Sequence, residues 1–182
     1  MKPSNVLLLP GWQNSGPHHW QSLWESRYGY QRVEQHDWMR PLRGDWCARL
    51  EEVLLACDEP ALLVGHSLGC QLAVAWAAHS QQTHRVRGAL LVAPPDVERE
   101  EFRSVLSSWS PIPWQPLPFK SVVLASRNDP YGAFDRARQM AKAWGSEWID
   151  YGNKGHINAE SGLDAWAQGH ALLLGLTQQC AN

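Results

Sequence analysis

Short apolar runs alternate with longer stretches of helical spacing along the 182-residue chain. Asn5 to Leu9 is the first apolar run, and Ala61–Val64, Arg87–Ala93 and Ser121–Ser126 repeat its character. Runs this short and this apolar read as strands buried on both faces. Gln31–Gln35 is a more polar strand and suits a sheet edge, and Glu147–Tyr151 is the sixth. Between the strands lie helical patterns. His18–Tyr28 places Trp20, Leu23 and Trp24 at helical spacing, and Trp46–Ala56 puts Trp46, Leu50, Val53 and Leu54 on one face. Further helices are predicted from Leu68 onward, over Phe134–Trp144 with Gly145 behind it, and over Leu163–Leu176. Alternating strands and helices predict a mostly parallel sheet with helices on both faces and right-handed crossovers.

The strand at Ala61–Val64 runs into Gly65-His66-Ser67-Leu68-Gly69, a G-x-S-x-G sequence, and then into an Ala- and Leu-rich helix. A chain that turns so sharply between strand and helix needs small flanking residues, and it leaves Ser67 at the apex beside the N-terminal amides of the helix. A serine hydroxyl becomes a nucleophile only with a base, an orienting carboxylate and donors for the developing oxyanion. In a parallel sheet the loops at the carboxyl ends of the strands are neighbours. Asp129 follows the fifth strand and His156 follows the sixth, so the chain order is Ser67, Asp129, His156. The chemistry assigns Ser67 as nucleophile, His156 as base and Asp129 as its orienter. The backbone N–H groups of Leu68 and Trp12 are the expected oxyanion donors.

The loop Asp96–Pro118 is stiffened by Pro111, Pro113, Pro116 and Pro118, with a short helix near Val97–Leu106, and it is expected to cover the site. The chain carries 11 Trp. Trp12, Trp38, Trp109 and Trp114, with His66, are the candidates for lining an apolar substrate pocket.

Composition narrows the function. The net charge is −2 and the 16 Lys and Arg residues are scattered, which favours neither nucleic acid nor an anionic membrane surface. No run approaches the ~20 apolar residues of a membrane span, and the apolar run at Val6–Leu9 is too short for a signal segment. The four cysteines, Cys47, Cys57, Cys70 and Cys180, form no C-x-x-C pair and do not cluster with histidines. No cofactor, metal or disulfide is expected, and a cytoplasmic location is the default.

Leu9-Pro10-Gly11 with His19-Trp20, Cys57-Asp58-Glu59 leading into the Ser67 turn, Asn128-Asp129-Pro130-Tyr131 and Gly155-His156-Ile157-Asn158 together resemble the small serine hydrolases related to retinoblastoma-binding protein 9. These stretches span nearly the whole chain, so the resemblance covers one domain over residues 1–182. It implies a minimal α/β-hydrolase fold, a six-stranded sheet in the order 2-1-3-4-5-6 with no large cap, and a Ser–His–Asp triad, and the expected activity is a serine hydrolase acting on small esters, with amides and thioesters as alternatives. A binding protein with a vestigial triad, or a lyase or haloperoxidase-like enzyme, would share the fold. The presence of all three triad residues favours the hydrolase. Leu55-Ala56-Cys57-Asp58-Glu59 also matches the L-x-C-x-E interaction motif from which the family takes its name. It lies where a helix ends before a core strand, so Leu55 is expected to be packed and a protein partner there is not expected.

Overall fold

A computed structural model describes residues 5–179. Met1 to Ser4, on which the reading of the N-terminus partly rests, and Cys180 lie outside those residues. The sheet has six strands in the order β2-β1-β3-β4-β5-β6, every neighbouring pair parallel. The strands are β1 (Val6–Leu9), β2 (Gln31–Arg32), β3 (Ala61–His66), β4 (Val86–Val92), β5 (Lys120–Ala125) and β6 (Glu147–Asp150). The helices are α1 (Trp20–Tyr28), α2 (Arg43–Ala56), α3 (Leu68–His79), α4 (Arg103–Leu106), α5 (Phe134–Ala143) and α6 (Ala167–Gln179).

The two-residue period of the strands divides the core into two layers. Leu7, Leu9 and Leu63 face one layer, where Trp46 and Leu50 of α2, Leu72 of α3 and Met140 of α5 cover them. Val6, Leu8 and Leu62 face the other, under Trp20 and Trp24 of α1 and Leu173 and Leu176 of α6. Trp20, Trp24, Trp46, Trp109 and Trp144 are among the largest fully buried side chains. Most of the unusual tryptophan content is therefore core volume, at roughly 4–6 kcal/mol of transfer free energy for each ring buried. Two indole N–H groups also tie layers together. Trp20 Nε1 donates to the Ile157 carbonyl at 2.8 Å and Trp24 Nε1 to that of Ala165 at 2.7 Å.

Several boundaries differ from the sequence reading for local reasons. α1 begins at Trp20 because the His19 ring accepts the Gln21 N–H as a cap. β2 is only Gln31–Arg32. α6 begins at Ala167, four residues later than expected, because Asp164 and Trp166 hold left-handed backbone angles, φ 48° and 42°. Trp166 is buried against Trp20 and Trp24 in that conformation. The expectation that Leu55 is packed is also corrected. Leu55 is 50% exposed, because the buried stripe of α2 at Trp46, Leu50, Val53 and Leu54 turns the next residue outward. The chain on either side of it is nonetheless held, since Arg85 Nη1 donates to the carbonyls of Leu54 and Cys57.

Candidate active site

Ser67 sits between β3 and α3 with φ 52° and ψ −124°, a conformation that strains any residue with a Cβ. The turn survives because its neighbours hold it. The Ser67 N–H donates to the Val92 carbonyl at 2.9 Å, and the Ser67 carbonyl accepts from Cys70 N–H at 2.9 Å. It also needs close approach. A Cβ on Gly69 would lie 1.9 Å from the Leu9 carbonyl oxygen, and one on Gly11 would lie 3.2 Å from Ser67 Oγ. α3 therefore packs directly on the end of β1, and the loop after β1 passes directly beside the hydroxyl.

His156 and Asp129 arrive from the loops after β6 and β5. Nδ1 of His156 lies 2.9 Å from both Asp129 carboxylate oxygens, and the two side chains are 9% and 4% exposed. Asp129 Oδ1 also accepts the Tyr131 N–H at 2.9 Å, so it forms its local turn as well as holding the histidine. Asn128 joins the two loops, because its Oδ1 accepts from Ser126 Oγ and from Gly155 N–H, each at 2.8 Å. His66 contributes from below the turn, where its Nε2 donates to the His156 carbonyl at 2.9 Å.

Three imidazoles meet edge-on or tilted in sequence, with ring centroids 4.6 Å apart for His19 and His66 and 4.9 Å for His66 and His156. Burial, with Arg32 and His156 nearby, lowers His19 to about 3. Burial, with His19 and His156, holds His66 well below the ordinary histidine range. Both are neutral at neutral pH, so neither places a positive charge beside His156 there.

This pair makes folding acid-sensitive. Both folded-state values lie below the unfolded value of 6.5, so the unfolded chain takes up the extra protons. Stability should therefore be complete above that pH and be lost progressively as the pH falls below it, for His19 down to about 3. Urea midpoints measured from pH 7.5 to 4.5 check this. His19→Gln should flatten the slope, and an unchanged slope would refute the assignment.

Ser67, His156, His66 and the Trp12 and Leu68 positions line one cavity of about 280 Å³. The remaining walls include Phe102 and Leu106 from the loop after β4, and Tyr131, whose ring meets that of His156 at 4.5 Å. Of the tryptophans expected to line the pocket, Trp12 does. Trp38 packs edge-on against Trp46 instead. Trp109 is 1% exposed, faces the core beside Trp46, and donates its indole N–H to the Pro41 carbonyl. Trp114 lies on the outside beneath the Arg136 guanidinium, whose Cζ is 4.5 Å from the indole ring centroid. The covering segment is present, but it carries Trp109 inward and Trp114 outward, and its short helical part with Phe102 and Leu106 meets the cavity. The sequence signal for those two was the predicted helix near Val97–Leu106, and that for Tyr131 was its place two residues after Asp129.

A parallel six-stranded sheet in the order 2-1-3-4-5-6, with a serine at a strained turn between β3 and the following helix, is the architecture of the α/β hydrolases. The described residues carry no large cap. The chain belongs to the serine hydrolase family, whose sequence pattern matches residues 6–175. It is similar to a protein described as a YdeN-like hydrolase from Pectobacterium atrosepticum, with 34% identity, TM-score 0.86, and 97% of this chain and 91% of that one covered. The ydeN gene product of Bacillus subtilis has the same fold at 19% identity, TM-score 0.78, with 96% and 99% covered. An esterase from Rhodococcus shares it at 14% identity, TM-score 0.66, with 96% and 90% covered. A comparison with curated proteins returned no match. The narrower likeness to relatives of retinoblastoma-binding protein 9 rests on the motifs quoted above. Among the described residues no helix is long and apolar enough to cross a membrane.

Proposed function

We propose that this serine hydrolase cleaves small carboxylic esters through an acyl-enzyme on Ser67. The observation that carries the reading is the His156–Asp129 pair at 2.9 Å, with His156 and Ser67 lining one cavity. Asp129 accepts the Nδ1 hydrogen, so Nε2 is the free base. His156 Nε2 takes the Ser67 proton as Oγ attacks the acyl carbon, and the carbonyl oxygen becomes an oxyanion between the N–H groups of Trp12 and Leu68. Collapse breaks the bond to the leaving alkoxide, which takes the proton from His156. Water, deprotonated by His156, then frees the acid and restores Ser67. Amides and thioesters would follow the same course. A fluorophosphonate probe should label folded protein at Ser67, as read by peptide mass spectrometry. Absence of labelling would refute an activated serine.

The size and rim of the cavity support short acyl groups. Phe102, Leu106, Tyr131 and Trp12 offer apolar contact over a small volume. Each methylene gains about 0.8 kcal/mol only while it is buried. Across acetyl, butyryl, octanoyl and palmitoyl esters below their aggregation limits, kcat/KM should peak at butyryl or shorter. A monotonic rise to palmitoyl would refute the small-pocket reading.

A further inference from the structure

The loop that follows β1 has an unusual backbone. Gln13 and Asn14 are consecutive non-glycine residues in the left-handed region, with φ 68° and 66°. That conformation is disfavoured for side-chain-bearing residues and persists only when its surroundings hold it. It directly follows Trp12, whose N–H must point at a developing oxyanion if the proposed mechanism holds.

Two buried side chains hold the loop from behind. Arg32, at the end of β2, is 7% exposed in its side chain. Its Nη1 donates to the Asn14 Oδ1 and to the Ser15 carbonyl at 3.1 Å, its Nη2 donates to Ser22 Oγ at 2.7 Å, and its Nε and Nη2 donate to Glu25 at 2.9 and 2.7 Å. Asn14 Oδ1 also accepts the Ser15 N–H at 2.7 Å. Gln21 is fully buried, with Nε2 donating to the carbonyls of Leu9 and Val64 and Oε1 accepting from Ser15 Oγ at 2.7 Å. Gln21 thus ties the ends of β1 and β3 to the loop. The planar fork of Arg32 meets acceptors on the loop and on α1 at once, which an ammonium group could not reproduce.

We infer that Arg32, acting through Asn14 and backed by Gln21, is a positioning residue that fixes the Trp12 oxyanion donor. Arg32 is not among the residues lining the catalytic cavity, so its effect must pass through the loop. The inference rests on the proposed esterase mechanism. It concerns stabilisation of the transition state, so loosening the loop should lower kcat and leave KM nearly unchanged.

The test uses purified full-length protein and p-nitrophenyl butyrate. Arg32→Met and Asn14→Gly should each lower kcat on the order of 10- to 100-fold, as for a misplaced oxyanion donor, with KM within about threefold. Binding of phenylboronic acid, whose adduct with Ser67 carries a tetrahedral anion, should weaken in parallel. Glycine accepts a positive φ without strain, so Asn14→Gly removes only the side chain; Asn14 also lines the cavity, and an unchanged KM separates a lost acceptor from a lost substrate contact. Asn14→Asp keeps that acceptor for Arg32 and should recover most of the kcat lost in Asn14→Gly. Should Arg32→Met fail to fold, the Asn14 pair carries the test. Wild-type kcat in folded Asn14→Gly, or a fall in kcat with unchanged boronate binding, would overturn the inference. Failure of the wild-type protein to hydrolyse the ester or to be labelled at Ser67 would instead remove the mechanism on which it rests.

Discussion

Ser67→Ala should lower kcat for a good ester by about a thousand-fold or more, with fold and thermal stability intact. Removing the nucleophile leaves only the oxyanion donors and substrate binding, which give weak residual catalysis over water. The substitution should not unfold the protein, because the Ser67 backbone bonds to Val92 and Cys70 survive the change. Deleting the hydroxyl leaves the strained φ of 52° unchanged. Initial rates with p-nitrophenyl acetate, alongside circular dichroism, check this. An unchanged rate in the folded variant would end the acyl-enzyme mechanism.

Asp129→Asn should lower kcat by about a thousand- to ten-thousand-fold, a loss comparable to that of the nucleophile. Both carboxylate oxygens lie 2.9 Å from His156 Nδ1, and both can only accept. A carboxamide presents an N–H₂ group in the same place. With that group towards Nδ1, the imidazole hydrogen moves to Nε2, which then cannot take the Ser67 proton. The carboxamide oxygen can still accept the Tyr131 N–H, so the turn after β5 should be kept. Steady-state rates and the fluorophosphonate labelling rate should fall together. A loss of less than tenfold would remove Asp129 from the proposed role.

Much of the fold is local information. The apolar runs at Val6–Leu9, Ala61–Val64 and Ser121–Ser126 are long enough only for buried strands, and their alternation with helical spacing admits few arrangements other than a parallel sheet. The G-x-S-x-G turn is readable for the same reason, since a Cβ at Gly69 would strike the Leu9 carbonyl. Element ends were less legible where a side chain decides them. His19 caps α1 through its ring, and Trp166 delays α6 by packing into the second layer.

Their places directly after predicted strands, together with chain order, were enough for the sequence by itself to nominate Ser67, Asp129 and His156, because in a parallel sheet the loops at the carboxyl ends converge. The pocket walls were decided only by tertiary structure. Trp109 and Trp114 carry the same indole, yet one fills core space beside Trp46 and the other stacks under Arg136, according to the direction each leaves its loop. Phe102, Leu106 and Tyr131 reach the cavity because the segment after β4 is anchored across the loop that bears Asp129, through Arg99 to the Pro130 carbonyl and through Asp96 N–H to the Tyr131 carbonyl. The buried network from Arg32 and Gln21 to the loop after β1 was likewise invisible in one dimension. A polar residue in a sequence carries no sign of whether it will be solvated or buried among acceptors, and only the packed layers settle which.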